Sequence, residues 1–469
     1  MLSFLPIVTL AQTPSPTPTP SPTPTPQEVR VSQPVRALPG KLDSVLVFNS
    51  NSPELVQTEG ILLSTFPPAG KQTPTAHLNV PLQGRFDVFA HHIAKAKTPD
   101  DLRTLYLGVI LHNPGTQPIT VDVLEAASYL SQPDAPFIDL PAYVDNPAGL
   151  VYAGPGSRAM DDILRGKRQE GFPAQIQIPP GESRMLMNLP IPVKTLTPPL
   201  NGRSTLIRLA SNGPIHAASL AMFAKPEADG SERAPTLEEW QTLLETGKLA
   251  EPRDRTPTPP DQKTGQVVYG RVAGVARGSQ WTGQIVDPTA QPDNLATWYL
   301  SVPPAGQAFS YGLSTLIGGT LGTGQVQTTP LLARYPDTAY QTHGNYAIEY
   351  NLTLPLHNTS KELRLVEIAL ETPIKEDKPK DGTLRFFQPL PRQVFFRGTV
   401  RLRYNDDQGL PQTRYVHLVQ RRGQQGEPLI RMVMKPGDRR LVQVDFLYPP
   451  DATPPQVLTI RSTELRFTL

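Results

Sequence analysis

No cysteine occurs anywhere in the chain. Disulfides, a cysteine nucleophile and thiolate metal sites are therefore excluded, whatever compartment the protein occupies. Strong charge of one sign is also missing. The 44 Lys and Arg against 42 Asp and Glu leave a balance of +2, which gives no whole-chain case for nucleic acid, where a basic face is expected. No apolar run approaches the roughly 18 residues of a membrane span, so the mature chain is expected to lack a transmembrane segment. Helical periodicity is scarce: a parallel α/β enzyme needs amphipathic helices of about ten residues between its strands, and one clear candidate is present. Catalytic signatures are equally thin. Neither a Gly-x-Ser-x-Gly elbow nor a Walker lysine occurs, so no nucleophile or cofactor is nominated.

What is present is repetition. Leu107 to Val123, LGVILHNPGTQPITVDV, is written again at Leu352 to Leu370 as LTLPLHNTSKELRLVEIAL, and both carry Leu-His-Asn, ending at Asn113 and Asn358. After the first Asn, Ile119, Val121 and Val123 alternate with Thr120 and Asp122, the two-residue period of a half-buried strand. Asn-Pro-Gly between two such runs predicts a hairpin. Further matches keep the same order, with Leu78-Asn79-Val80-Pro81 against Leu300-Ser301-Val302-Pro303, Pro180-Gly181-Glu182 against Pro436-Gly437-Asp438, and Ile207-Arg208 against Ile460-Arg461. Ordered matches of this kind indicate an internal duplication. The succession of strands and turns in each copy reads as an Ig-like antiparallel β-sandwich, so the expected fold is mainly β, two tandem sandwiches with a short linking helix.

The boundaries follow from composition. Leu2 to Leu10 is an apolar run ending before Ala11; it lacks a basic leader region, yet cleavage after Ala11 is expected, giving export to the periplasm, cell surface or exterior. Residues 12–27 form a Pro/Thr-rich stalk, whose repeat Thr13 to Pro26 at about 3.1 Å per residue in polyproline II geometry spans roughly 40 Å. The first sandwich is placed at 28–233 and the second at 264–469. Between them, at 234–263, lie a helix opened by the capping box Thr236-Leu237-Glu238-Glu239 and a Pro-rich linker.

Candidate sites are few. Asp87, His91 and His92 are the ligand types of a zinc or iron site, but on one strand His91 and His92 point to opposite faces. The competing reading is a strand end with one histidine packed and one solvated. His112 and His357 hold equivalent repeat positions, which favours pinning a turn over catalysis. Gly154-Pro155-Gly156-Ser157-Arg158 is read as a tight turn with Ser157 as a helix N-cap, in preference to an anion cradle. Asn405-Asp406-Asp407-Gln408-Gly409 is read as a hairpin tip, since the later Glu of a calcium loop is missing. From Arg392 to Arg440 there are 11 Lys or Arg against 4 Asp or Glu. Arg401, Arg403, Arg421 and Arg422 are accordingly the candidate face for weak, salt-sensitive binding of acidic polysaccharide, set against an ordinary solvated edge.

Three long strings, FNSNSPELVQTEGILLSTFPP from Phe48, GRFDVFAHHIAKA from Gly84 and RYNDDQGLPQTRYVHLVQRRGQQGEPL from Arg403, resemble a cyanobacterial family of exported proteins built on a domain of unknown function. The resemblance implies export and carries no catalytic residue. The reading favoured is a noncatalytic envelope or matrix protein. The alternatives are an exported hydrolase with its site on the excursions Ser128 to Phe172 or Thr372 to Met434, and a protein-interaction module pairing through sheet edges.

Overall fold

A computed structural model describes residues 25–262 and 265–464. The expected leader and most of the expected stalk lie outside the described residues. Strand accounts for 46% and helix for 6%, with two α-helices, so the chain is mainly β. Among the described residues the two largest hydrophobic cores mark two units. One gathers Phe48, Phe86, Val109, Val121, Ile207 and Ile215; the other gathers Tyr350, Leu354, Val366, Val400, Phe446 and Ile460.

The first unit is organised by one long strand, Leu200–Phe223. Its front half pairs with Leu82–Lys95 and Ile119–Leu130; its back half pairs with Leu105–His112 and Gly60–Ser64. The ladder breaks between Ser211 and Ile215, at Asn212-Gly213-Pro214, where proline cannot donate to a sheet. One strand thus serves both layers. In the second unit, Ala308–Leu313, Gln456–Glu464, Arg364–Glu371 and Pro428–Met434 form one sheet; Val394–Asn405, Pro411–Arg421, Arg439–Leu447 and Glu349–His357 form most of the other.

The same connectivity appears in both units. Leu46–Ser50 runs parallel to Leu82–Lys95, followed by Leu200–Phe223, Ile119–Leu130 and Gln175–Ile178. In the second unit Val35–Arg36 runs parallel to Ala308–Leu313, followed by Gln456–Glu464, Arg364–Glu371 and Pro428–Met434. Pairing also crosses the expected division at 28–233 and 264–469. Ala273–Arg277 and Leu331–Arg334 extend the first unit's sheet, whereas Gln27–Ser32, Lys41–Leu42 and Tyr143–Asp145 pair with second-unit strands.

The Asn-Pro-Gly segment does not make a hairpin. Leu105–His112 and Ile119–Leu130 lie in opposite layers, so the turn is an arch that carries the chain from one sheet to the other. Asn113 holds the arch: its Nδ2 donates to Gln117 O and Ile178 O, its Oδ1 accepts from Gly115 N, and its backbone exchanges bonds with Glu182 and Gly181. Asn358 repeats every one of these bonds, donating to Glu362 O and Met434 O, accepting from Ser360 N and exchanging with Asp438 and Gly437. Gly181 and Gly437 both sit at positive φ, 70° and 78°, where a side chain would be strained. The histidines expected to pin the turn instead have unlike neighbours, with His112 bonded to Ser183 and His357 packed on Tyr299.

The capping box forms as expected, with Glu239 N donating to Thr236 Oγ1 and Thr236 N to Glu239 Oε2. This helix, Leu237–Thr246, is not the joint between the units. It covers the outer face of the first unit through Trp240, which stacks so closely on Gly108 that a Cβ there would lie 2.8 Å from the indole. A second helix, Pro155–Leu164, takes the joint position and touches strands of both units. Gly154 is its N-cap, and Ser157 is its third residue, with Oγ donating to Ala153 O.

Asn113→Ala and Asn358→Ala should each lower stability by about 1–3 kcal/mol, because each strands buried carbonyls and an amide. Urea unfolding of the two variants checks this. A negligible loss for either would mean that the arch is held by something other than its asparagine.

Candidate functional site

Charge gathers where the two units meet. Arg208, on the long strand, donates to Glu349 of the second unit at 2.6 Å and to Glu125 at 3.0 Å, with Asp87 at 3.8 Å. Burial pushes the Asp87 carboxyl up to about 6, against the attraction of Arg208 and Arg85. Asp87 therefore belongs to this joint. His92 is buried on the opposite side, with Nε2 against Ser50 Oγ at 2.9 Å and Nδ1 against Pro53 O at 2.8 Å. His91 meets Ser204 and Glu54. The three expected metal ligands are thus pulled to separate partners, and among the described residues no group of three or more His, Asp or Glu is placed to hold a metal.

The four arginines are not one face. Arg401 and Arg403 both bind Asp445, at 3.1 and 2.9 Å, and Asp445 is 1% exposed. Arg401 also donates to Leu164 O at the C-terminus of the joint helix, where the helix dipole favours a cation. Arg421 pairs with Val394 at the far end of the ladder in which Arg401 pairs with Tyr415, six residues on and roughly 20 Å away at about 3.3 Å per residue. Arg422 lies over the rings of Phe387 and Phe395. The alternation of Arg401 and Arg403 on one strand face does not reveal their acidic partner Asp445, which stands more than forty residues away in sequence.

The GPGSR segment offers no anion cradle either, since a Cβ on Gly156 would lie 2.3 Å from Pro450, and the helix end is packed against the second unit. The acidic loop is a hairpin tip, with the Asp406 carboxylate accepting from Gln408 N and Leu410 N.

A different place has the features of a site. A cleft of about 270 Å³ opens between the units, lined by Asn49, Asn51 and Glu54, by Arg271, which pairs with Glu54, and by Tyr269, His343, Tyr346 and Lys375. Asn49 and Asn51 are 5% and 4% exposed, and the Oδ1 of each is buried with no hydrogen-bond partner. Buried amides are nearly always paired. Their spacing places both on one face of the chain as it leaves Leu46–Ser50, while Ser50 turns inward to Ser219.

The facing wall is held under strain. Asn345 and Ala347 have φ of 49° and 68°; the second is a conformation that costs a residue other than glycine about 1–3 kcal/mol and tends to cluster at binding sites. Thr342 Oγ1 and Tyr350 Oη hold the Asn345 amide in place. Lys375 Nζ donates to Tyr269 Oη at 2.6 Å and lies within ion-pair distance of no carboxylate among the described residues. The Tyr269 ring packs on His343, centroids 4.7 Å apart. Burial, with a smaller part from the Lys375 charge, lowers the His343 imidazole to about 4. Burial raises the Glu54 carboxyl, but bonding to His91 and the charges of His91 and Arg271 outweigh it, leaving the group below its ordinary value.

A family model described as protein of unknown function, DUF3370, matches residues 33–462. The chain belongs to this family. The match runs through both β units and every residue of the cleft. No curated protein matches the chain, and no helix among the described residues is long and apolar enough to cross a membrane.

None of the cleft residues was nominated from sequence. Asn49, Asn51 and Glu54 stand in the string FNSNSPE, where the Asn-x-Asn spacing was the available signal. The opposite wall is more than two hundred residues distant and is brought there only by the fold.

Seven of the eight histidines are held below the ordinary imidazole value by burial, with His77, His92, His343 and His417 at about 4. A folded value below the unfolded 6.5 gives stability that is complete above pH 6.5 and is lost as pH falls towards 4. Asp87 has the opposite sign, its contribution shrinking as pH rises from about 4 to about 6. The histidines outnumber it. Thermal midpoints should fall between pH 7 and pH 4.5; a flat or rising profile would show that these imidazoles are not buried in the neutral form.

Proposed function

We propose that the protein is an exported, noncatalytic envelope or matrix protein that holds one acidic sugar residue in the cleft between its two β units. The observation that carries this reading is the pair Asn49 and Asn51, whose Oδ1 atoms are buried without partners at a cavity also lined by Lys375, which bonds Tyr269 Oη but has no carboxylate within ion-pair distance among the described residues. Amides suit sugar hydroxyls, the rings of Tyr269 and Tyr346 add apolar surface to the lining, and the ammonium of Lys375 suits a carboxylate. At about 270 Å³ the cleft lies just under the roughly 300–1,000 Å³ range of small-molecule sites, room for one ring and not for a chain. The acidic saccharide expected from composition is kept, but its site moves from the arginine strands to the cleft. Export rests on the apolar run Leu2 to Leu10 and the Pro/Thr stalk. The recurrence of the Asn113 bonds at Asn358 supports descent of the two units from a duplication.

The hydrolase reading has less support. Glycoside hydrolysis ordinarily uses two carboxyl groups across the scissile bond, and Glu54, already tied to Arg271 and His91, is the one carboxylate that lines the cleft.

Calorimetric titration with galacturonate and with galactose tests the proposal, since the two differ in the carboxylate alone. Galacturonate should bind and galactose should bind at least about tenfold more weakly, the value of a charge-assisted hydrogen bond. Lys375→Gln should remove that preference, and rising salt should reduce it. Equal affinity for the two sugars, or binding of neither, would refute the assignment.

A further inference from the structure

A second feature stands apart from the cleft, at the open side of the first sandwich. Arg203 lies on the long strand Leu200–Phe223 with its side chain between the two layers, and the residue is 5% exposed. Its Nε and Nη2 donate to Pro190 O at 3.2 and 2.8 Å, and its Nη1 donates to Ser128 Oγ at 3.0 Å. Among the described residues no carboxylate lies within ion-pair distance of it. A guanidinium carries five N–H donors, and these contacts leave part of that capacity free, with Asp134 attracting the charge only from beyond ion-pair distance. Burial without a close counter-charge is costly, and it holds this guanidinium down at about 10 against the attraction of Asp134.

The fold itself does not require a cation here. In the first unit Ile207 faces Val88, and four residues earlier Arg203 faces His92. In the second unit Ile460 faces Phe309, and four residues earlier Gln456 faces Leu313. The matching ladder position thus holds a neutral amide, itself fully buried. The charge at Arg203 is an addition to the sandwich.

What surrounds it indicates a ligand. A shallow groove of about 500 Å³ reaches Arg203 past Ser128, Phe172, Met185, Met187 and Asn188. The groove therefore has one positive end and an apolar flank, with thioethers that adapt to varied shapes.

We infer that Arg203 anchors a second binding site, for a small organic carboxylate whose apolar body lies along Phe172, Met185 and Met187. The carboxylate supplies the missing counter-charge and can take two parallel N–H bonds. Unlike the cleft, this site asks for an apolar body and not a hydroxylated ring.

Calorimetry with hexanoate, hexanol and sulfate separates the parts of the inference. Hexanoate should bind, and hexanol and sulfate should each bind about tenfold more weakly or not at all, one lacking the charge and the other the apolar body. Arg203→Gln, which installs the residue used at the matching position, should fold and lose hexanoate binding about tenfold or more. Arg203→Lys, which keeps charge without the fork, should retain part of the affinity; should the Gln variant fail to fold, this variant and the three-probe comparison on the native chain still decide. No hexanoate binding in the native chain, equal binding of hexanol or sulfate, or unchanged hexanoate affinity in Arg203→Gln would overturn the site.

Discussion

The structure depends on one buried cation reaching across a boundary. Arg208 leaves the long strand of the first unit and ends against Glu349, the first residue of a strand in the second, with Glu125 and Asp87 on its other sides. The guanidinium bonds Glu349 and Glu125 closely, while Asp87 stands off at 3.8 Å with neither oxygen bonded. Removing it would leave buried acids unpaired, which costs far more than the pair itself contributes. The contact also sets the cleft. Asp87 lies on the strand that pairs with Leu46–Ser50, which leads into Asn51, and Glu349 follows the strained segment holding His343 to Ala347. Both walls are thereby referred to the same ion cluster.

A second constraint works alongside it. Tyr143–Asp145 leaves the first unit to pair with Pro411–Arg421, and Ala273–Arg277 crosses the other way to pair with Leu46–Ser50. Separation of the units would have to break these ladders, expel the helix Pro155–Leu164 and strand Asp445, Arg401 and Leu164 O together. The joint helix is polar by composition, with Asp161, Asp162 and Ser157 on it, yet all three are buried. Each has a partner: Arg165 for Asp161, Lys167 for Asp162, and Ala153 O for Ser157. The site lies between rigidly joined bodies, as binding clefts at domain boundaries commonly do.

Much of the fold was legible because it is written in local patterns. Alternation gave the strands, the Pro-Gly-acid turns lie where glycine must take positive φ, and the capping box at Thr236 depends on residues three apart. The arch was not legible, since Asn-Pro-Gly reads the same whether the next strand returns beside the last or crosses to the facing sheet; the bond from Asn113 to Ile178 O decides it, and that partner is distant in sequence. A helical turn near Ser157 was legible, but the burial of helix Pro155–Leu164 at the joint was not, because periodicity assigns its polar residues to solvent. The candidate sites erred for the same reason in reverse. Arg401 and Arg403 looked free, and Asp87 looked like a ligand, because the groups that neutralise them are brought near only by the tertiary fold.

The cleft is the functional centre of this account, and a crystal structure of the protein grown with excess galacturonate tests it most directly. The account predicts the sugar between the two units, its carboxylate within hydrogen-bond distance of Lys375 Nζ and its hydroxyls paired with the side chains of Asn49 and Asn51. A cleft holding water alone under those conditions, with Asn49 and Asn51 bonded to that water, would contradict it.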